Sequence, residues 1–362
     1  MIKTNALICL AAGKSQLLII QKAISLGYNI IAIDKNPNSI GFIYSQEKII
    51  ASTFDSESII YELKKISDKY NFIGILNRSS GIPVVTVSEI SKQLKLKTYS
   101  IDTSKIIINK HLFFNYVKKL DINVPNFQIL KTIDKEIKNI NFPSILKPSL
   151  SHVGKSGIVK IYNKEEYKSN IDIVFKSSLN KNIIVQDYIE GSDIAMVSFV
   201  QNKKLHPISF IEEVNLLDNS NNLYGCGVIA PARINKEIKK NIIKISNKII
   251  QNLDIINSPF MISFRVSKSE IFLIELHLDF GGDLILEELL PKHLSFDATS
   301  LGIKLMAGEK NIFPQIKKYN PVGILYHPGE KLNNVRDFEV LEEDNIDKLM
   351  QSFTVKQNLL YE

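Results

Sequence analysis

The first hundred residues alternate buried-strand and helix signals, and this limits the fold more than any other feature of the chain. Asn5–Leu10 is a continuous apolar run, the mark of a strand buried on both faces. The turn Ala11-Ala12-Gly13-Lys14-Ser15 follows it. A helical pattern then runs from about Gln16 to Leu26, with Leu17, Ile20, Ala23 and Ile24 on one face, and Gly27 stops it. Ile30–Ile33 repeats the strand signal and ends in Asp34, before the loop residues Asn36-Pro37-Asn38. Ile49–Ala51 and Phe72–Leu76 read as further strands, Ser56–Lys69 and Pro83–Leu94 as helices. Such alternation predicts a parallel sheet with helices on both faces. Ligands in these sheets bind beyond the carboxyl ends of the strands. The expected crevice therefore collects Gly13–Gln16, Asp34–Asn38 and Asn77–Gly81.

Behind this front the pattern changes. Ser104–Leu120 reads as a helix ended by Val124-Pro125. From Phe142 onward strands with long connections dominate: Ser144–Lys147, Gly157–Ile161, Ile183–Gln186, Ile194–Val200 and Pro207–Glu213. Lys236–Leu253 carries an isoleucine stripe at helical spacing, and Phe260–Val266 with Glu270–Leu278 reads as a hairpin. The expectation is α/β in front and α+β behind. At 362 residues and roughly 150 residues per domain, two or three domains are expected.

Hydrophobic residues at 44% and charged residues at 23% exclude collagen-like, mucin-like and wholly disordered chains. Lysine and arginine number 45 against 38 acidic residues, a net +7. So small an excess does not demand nucleic acid and fits a mildly basic surface, with small phosphate-bearing molecules left open as partners. Cys9 and Cys226 offer neither a disulfide framework nor a metal-ligand spacing, so a reducing cytoplasm is expected. No uncharged apolar stretch of about 18 residues predicts a membrane span. The apolar start, Met1 to Gly13, is read as a buried first strand and not an export signal.

Two Gly-Lys-Ser triplets occur, at Gly13–Ser15 and Gly154–Ser156. A phosphate-binding P-loop needs a glycine five residues before the Gly-Lys pair, and those positions hold Ile8 and Ser149. Neither triplet qualifies. Lys147, Pro148 and the small polar loop up to Gly157 still form a flap that could wrap phosphate oxygens. Alternation along Glu270–Leu278 puts Glu275, His277 and Asp279 on one side and leaves Ile274, Leu276 and Leu278 for the core. Two carboxylates and an imidazole in a row are costly to bury unless paired or bound to metal. Gly281-Gly282 lets backbone come close to something.

In order along the chain, these pieces resemble the ATP-grasp superfamily, of the carboxylate–amine ligase type, over nearly the whole length. Leu10-Ala11-Ala12-Gly13 with Asp34-Lys35-Asn36-Pro37 resembles its front domain, and Asn109-Lys110 its first phosphate-binding lysine. Phe142 to Pro148 followed by Ser156-Gly157 resembles the lid strand and glycine-rich loop; Val185 to Asp193 resembles the hinge. Val228-Ile229-Ala230-Pro231-Ala232 and Ile274-Glu275-Leu276-His277 with Gly281-Gly282 complete the order. The resemblance implies a front domain over 1–103, an ATP-grasp domain over 104–310 with a lid at about 127–190, and a C-terminal extension over 311–362.

It also implies ATP and Mg²⁺, with Mn²⁺ an alternative ion. Lys110 and Lys147 would meet the α- and β-phosphates under the loop of Ser156 and Gly157. Gln186, Asp187 and Ile189 would hold adenine, and Asp193 ribose. Glu275 would hold the metal, with His277 as the second candidate ligand. The chemistry implied is ligation of a small-molecule carboxylate to an amine through an acyl phosphate. A homodimer is the expected assembly, with no nucleic-acid or membrane partner.

The departures from the family pattern fall on the metal site. Ser263 stands where an acid is expected, His277 replaces an asparagine and Asp279 an arginine. Asp279 or Asp283 is a candidate to restore the negative charge. Arg265 or Arg233 is the candidate oxyanion partner, with His277 beside them as a catalytic candidate. Arg78 with Ser79, and Gly281 with Gly282, are the candidate substrate contacts. A ligase with an altered metal site, a carboxylase or carboxylate kinase, and a nucleotide-binding descendant without turnover all stay open.

Overall fold

A computed structural model describes residues 3–133, 140–151, 157–282, 284–310, 313, 319–327 and 337–361. The front unit is β1 (Thr4–Leu10), α1 (Lys14–Ser25), β2 (Asn29–Asp34), β3 (Glu47–Ile50), α2 (Ser56–Lys65), β4 (Tyr70–Asn77) and α3 (Ile82–Leu94). Its strands run parallel in the order β3-β2-β1-β4. Ala6 to Leu10 are buried without interruption, as a strand covered on both faces requires. The carboxyl ends of β1, β2 and β4 place Ala12, Asp34 and Asn77 together: Asp34 accepts from the Ala12 and Asn36 amides, each at 2.9 Å.

The helix expected over Ser104–Leu120 is two helices, α4 (Ile101–Ile108) and α5 (Lys110–Lys118). Asn109 is extended, with φ −103° and ψ 100°, and breaks the run. The cause is tertiary. The Lys110 amide leaves the helical ladder to donate to the Ser149 carbonyl at 2.9 Å.

β5 (Phe127–Leu130), β6 (Ser144–Pro148), β7 (Val159–Ile161), α6 (Lys164–Ser177) and β8 (Ile183–Asp187) form a smaller unit around an antiparallel sheet in the order β5-β8-β6-β7, called the lid below after the expectation for this segment. It has its own core, with Leu146, Val159, Tyr167, Ile171, Val174 and Val185. Gly157 turns into β7 with φ +71°, where a Cβ would collide with the Ser177 side chain of α6.

The remaining elements are β9 (Ser192–Gln201), β10 (Lys204–Leu217), β11 (Leu223–Ala230), α7 (Lys236–Asn252), β12 (Ser258–Ser267), β13 (Glu270–His277), α8 (Leu290–Leu294), α9 (Ala298–Met306), β14 (Val322–Tyr326), β15 (Phe338–Glu342) and α10 (Ile346–Tyr361). Their strands make one antiparallel sheet, β13-β12-β9-β10-β11-β14-β15. Val322–Tyr326 and Phe338–Glu342 are thus built into the large sheet, β14 pairing with β11 and β15 with β14. Within α10, Leu349 and Phe353 pack on Ile229 and Leu325.

The front unit has no core to itself. Ile8, Leu10 and Ile75 share one apolar cluster with Met196, Phe260, Ile262 and Leu276 of the large sheet. On the other face Leu7, Cys9 and Ala32 share a second with Ala195, Phe199 and Leu286. This shared packing fixes the crevice of the parallel sheet over β13. Among the described residues, no helix is long and apolar enough to cross a membrane.

Candidate functional site

Lys147 lies in β6, every residue of which is buried, and is itself 2% exposed. Its Nζ sits 4.8 Å from the ring centre of Phe114 on α5. Burial, reinforced by the Lys110 charge and only partly offset by Glu275, lowers its pKa to about 7. Lys110 opens α5 and is held to the lid strand by its neighbours. Ser149 Oγ donates to Asn109 Oδ1 at 2.7 Å and lies 2.8 Å from His111 Nδ1.

Opposite these lysines stands the end of β13. Lys110, Glu275, His277 and Asp279 line one cavity together with Ser80-Gly81 from the front unit and Ser151 from the lid. His277 Nε2 is 3.2 Å from Glu275 Oε1, and Nδ1 is 3.8 Å from Asp279 Oδ2. Burial works against the imidazolium, but the Glu275 field, then Asp279, raises the His277 pKa above the ordinary histidine range. Burial likewise opposes ionisation of Glu275. The His277 cation, with Lys110 and Lys147 behind it, keeps that carboxyl below its ordinary range. Ser263 pairs with Glu275 across the hairpin, and its Oγ is buried without a partner. Asp279 accepts from the Gly281 amide at 2.8 Å through Oδ1, while Oδ2 has no hydrogen-bond partner.

Among the described residues, no group of three or more histidine, cysteine or acidic side chains is disposed to hold a metal by itself. Ser156 and Asp283 lie outside the described residues.

The hinge residues lie on the lid edge of the same region. Gln186 on β8 is buried and its Oε1 has no partner. The Asp187 amide donates to the Asn126 carbonyl at 2.9 Å, and its carboxylate accepts from Asn126 Nδ2 at 3.0 Å. Arg265, considered as an oxyanion partner, is pinned to the hinge. Its Nε donates to the Ile189 carbonyl at 2.8 Å, Nη1 pairs with Asp193 at 2.7 Å and Nη2 donates to Tyr188 Oη at 3.0 Å. Asn215 donates to the same Asp193 oxygen at 2.8 Å.

Arg233, the other candidate, forks onto buried Glu212 at 3.0 and 2.6 Å. Neither arginine lines the cavity. Each is committed to a carboxylate of its own, and a guanidinium so paired is a strut.

Arg78 is also a strut. It is 7% exposed, pairs with Glu287 at 2.6 Å, and donates to the carbonyls of Gly281 at 2.9 Å and Ser15 at 2.7 Å. These bonds, with the Phe280 amide donating to the Asn77 carbonyl at 3.0 Å, tie Ser79, Gly281 and Gly282 into one junction of β4 with the loop after β13. In the sequence Asn109 reads only as the neighbour of Lys110 and Ser149 only as a loop residue. His111, and the contact of both Asn109 and His111 with Ser149, escaped sequence reasoning, because only the fold brings residues some forty positions apart together.

Residues 140–287 match the family model of the ATP-grasp domain. Among curated proteins, the D-alanine–D-alanine ligase of a Nitratiruptor species is 26% identical over 183 residues, 49% of this chain and 52% of that protein. The formate-dependent phosphoribosylglycinamide formyltransferase of Prochlorococcus marinus (strain MIT 9515) is 22% identical over 276 residues, 75% and 68% of the two chains. The chain thus spans about half the length of the first of these relatives. Among solved structures, the L-amino acid ligase from Bacillus licheniformis superposes with a TM-score of 0.83 at 15% identity, over 98% of this chain and 97% of that one. N5-carboxyaminoimidazole synthetase from Staphylococcus aureus, complexed with ADP, gives 0.78 at 15% identity over 98% of both. At these identities the structural likeness establishes the fold. The domain match adds that residues 140–287 of this chain form an ATP-grasp domain.

Proposed function

We propose that the chain is an ATP-dependent, ADP-forming ligase that joins a small-molecule carboxylate to an amine through an acyl phosphate. The observation that carries this reading is Lys147, an amine buried in a strand beside a second lysine and for both reasons costly to protonate. An arrangement so costly makes sense where phosphate oxygens arrive to repay it. Lys110 and Lys147 would bind the α- and β-phosphates under Gly157 and the loop before it. The orphaned Gln186 Oε1 suits an amino donor of adenine beside the backbone of Asp187 and Ile189. Asp193, oriented by Arg265 and Asn215, would accept from ribose.

The donor set also fits magnesium. Mg²⁺ commonly takes one or two carboxylates and completes its octahedron with phosphate oxygens and water, so Glu275 suffices as the protein ligand. A bound magnesium ion would neutralise phosphate charge there. His277 serves better as the partner that orients Glu275 than as a ligand, because its Nε2 already faces Glu275; this favours Mg²⁺ over Mn²⁺.

Catalysis in this reading is positioning and charge neutralisation. A carboxylate oxygen of the substrate attacks the γ-phosphorus and ADP leaves. The amine then attacks the acyl carbon and phosphate departs with the bonding pair. The small-molecule substrates, the cytoplasm and a homodimer belong to the same proposal.

A second reading, nucleotide binding without ligation, is favoured by Ser263 opposite Glu275 and by His277 seated on that carboxylate. Phosphate release from ATP and Mg²⁺ across a panel of carboxylates and amines separates the two. Ligation requires release that depends on both partners and disappears in Glu275→Gln, with ADP affinity within about threefold of wild type. ADP binding without release from any pair supports the second reading.

A further inference from the structure

We propose that Arg265 is a positioning residue that makes the nucleotide site selective for the ribose hydroxyls, by locking Asp193 with one carboxylate oxygen left to receive a sugar hydroxyl. The inference rests on the nucleotide reading of the hinge given above and adds to it a residue that itself touches no ligand.

Arg265 on β12 and Asp193 on β9 are direct cross-strand neighbours, so their side chains leave the sheet on the same face. On the other side of Asp193 a second carboxylate, Glu213 on β10, stands directly opposite. Like charges in that relation repel, so Asp193 needs donors to hold one orientation. Two supply it. Arg265 Nη1 at 2.7 Å and Asn215 Nδ2 at 2.8 Å both end on Oδ2. A carboxylate offers about two lone-pair sites on each oxygen, so Oδ2 is filled. Oδ1 has no hydrogen-bond partner among the described residues, and the side chain keeps 24% of its surface exposed.

The rest of the guanidinium is committed to the hinge. Nε donates to the Ile189 carbonyl at 2.8 Å and Nη2 to Tyr188 Oη at 3.0 Å. Tyr188 in turn carries a lid cation on its ring, Lys160 of β7, with Nζ 3.7 Å from the ring centre. Gly191 seats the same stretch directly on β12. Its φ is +149°, and a Cβ there would come within 2.1 Å of the Val266 carbonyl oxygen.

An ordinary cross-strand ion pair needs only the Asp193 contact. Here every printed bond of Arg265 ends within residues 188–193. One side chain thus fixes both the hinge backbone that would face the base and the acid that would face the sugar. The planar fork of arginine reaches three such points at once, which the single ammonium of lysine does not. A site built to hydrogen-bond a hydroxyl rejects the analogue that lacks it.

The test is calorimetric titration of the full-length protein with ADP, 2′-deoxy-ADP and 3′-deoxy-ADP. ADP should bind at least tenfold tighter than one of the two analogues, because a hydrogen bond to a charged group is lost with the hydroxyl. In Arg265→Met that ratio should fall to within threefold. The change should come from weaker ADP binding, with the affinity for the analogue kept within threefold of wild type. Arg265→Lys, which keeps the charge but not the fork, should lower the ratio at least threefold and tests the role if the methionine variant fails to fold. Equal affinity of the wild type for all three nucleotides would overturn the proposal and leave the nucleotide reading standing. A ratio unchanged in the folded variants, or a loss shared equally by ADP and analogue, would also overturn it, leaving Arg265 a strut of the sheet. No binding of ADP at all would remove the nucleotide reading and this inference together.

Discussion

Lys147 shows how much a single residue can carry that its sequence context only suggests. The motif placed it on a lid strand facing phosphate, but its titration follows from burial against Phe114 and Lys110, which no local pattern states. With its pKa lowered from the ordinary 10.5 to about 7, Lys147 is largely neutral at pH 8 in the free protein, and phosphate would draw a proton onto it. ADP binding at pH 8 should therefore take up close to one proton, read as different heats in two buffers of unequal ionisation enthalpy. Equal heats would contradict the assignment.

The sign for stability follows from the same shift. Between about pH 7 and 10.5 the unfolded chain binds more protons at this site, so stability rises with pH there, and the penalty is fully present below 7. Lys147→Met should flatten that slope in urea unfolding. Arg78 was legible as a crevice residue, but its partners were not, because Gly281 and Glu287 lie some two hundred positions away. Arg78→Met strands buried Glu287 and should cost about 3–5 kcal/mol, with much of the loss recovered in the double variant with Glu287→Gln.

Among the elements, those written in apolar runs were legible and those set by contacts were not. β1, β2 and β4 follow from continuous hydrophobic stretches, and the hairpin β12–β13 from alternation. The break at Asn109 follows from the pull of the Ser149 carbonyl on an amide, which a helical pattern through Ser104–Leu120 hides. β15, a short edge strand on an already formed sheet, needs little pattern of its own and went unrecognised; β14 lies inside the sheet between β11 and β15, and its buried apolar run Val322–Tyr326 is the exception, legible but passed over. Helix α9 poses a conflict that magnitudes resolve. Gly302 lies within it, and alanine there should gain up to about 1 kcal/mol of helix propensity. Its Cβ would stand 2.6 Å from Phe280 Cε1 and 2.7 Å from Phe199 Cε1. Overpacking of this kind costs about 1–3 kcal/mol, and both rings are held in a shared core. Packing should win, so Gly302→Ala should lower the urea midpoint; a raised midpoint would show that the rings yield.

At the scale of the molecule, the division of cores sets which part can move. The front unit and the large sheet share both principal clusters, so they should open together. The lid is packed around a separate core. Among the described residues, its links to the rest are mostly single contacts such as the edge-on pair Phe114–Phe127 at 5.2 Å, the Lys110 amide on Ser149 at 2.9 Å and the Leu223 amide on Ile158 at 3.1 Å. Segments joined so lightly are drawn from the low end of local stability. Native-state hydrogen exchange should therefore find the amides of β6 and β8 opening at lower free energy than those of β9 and β12. The lid also brings Lys147 to a site whose other charges, Lys110 and Glu275, stand on α5 and β13, so a nucleotide clamped between them stabilises only the closed arrangement. At ADP concentrations 100 times the dissociation constant, mass action supplies about 2.7 kcal/mol. Exchange in β6 and β8 should then slow by about a hundredfold. Lys147→Met should abolish that slowing without changing exchange in β9. Equal opening energies for the lid and β9 in the free protein would show that the lid's separate core does not give it separate motion.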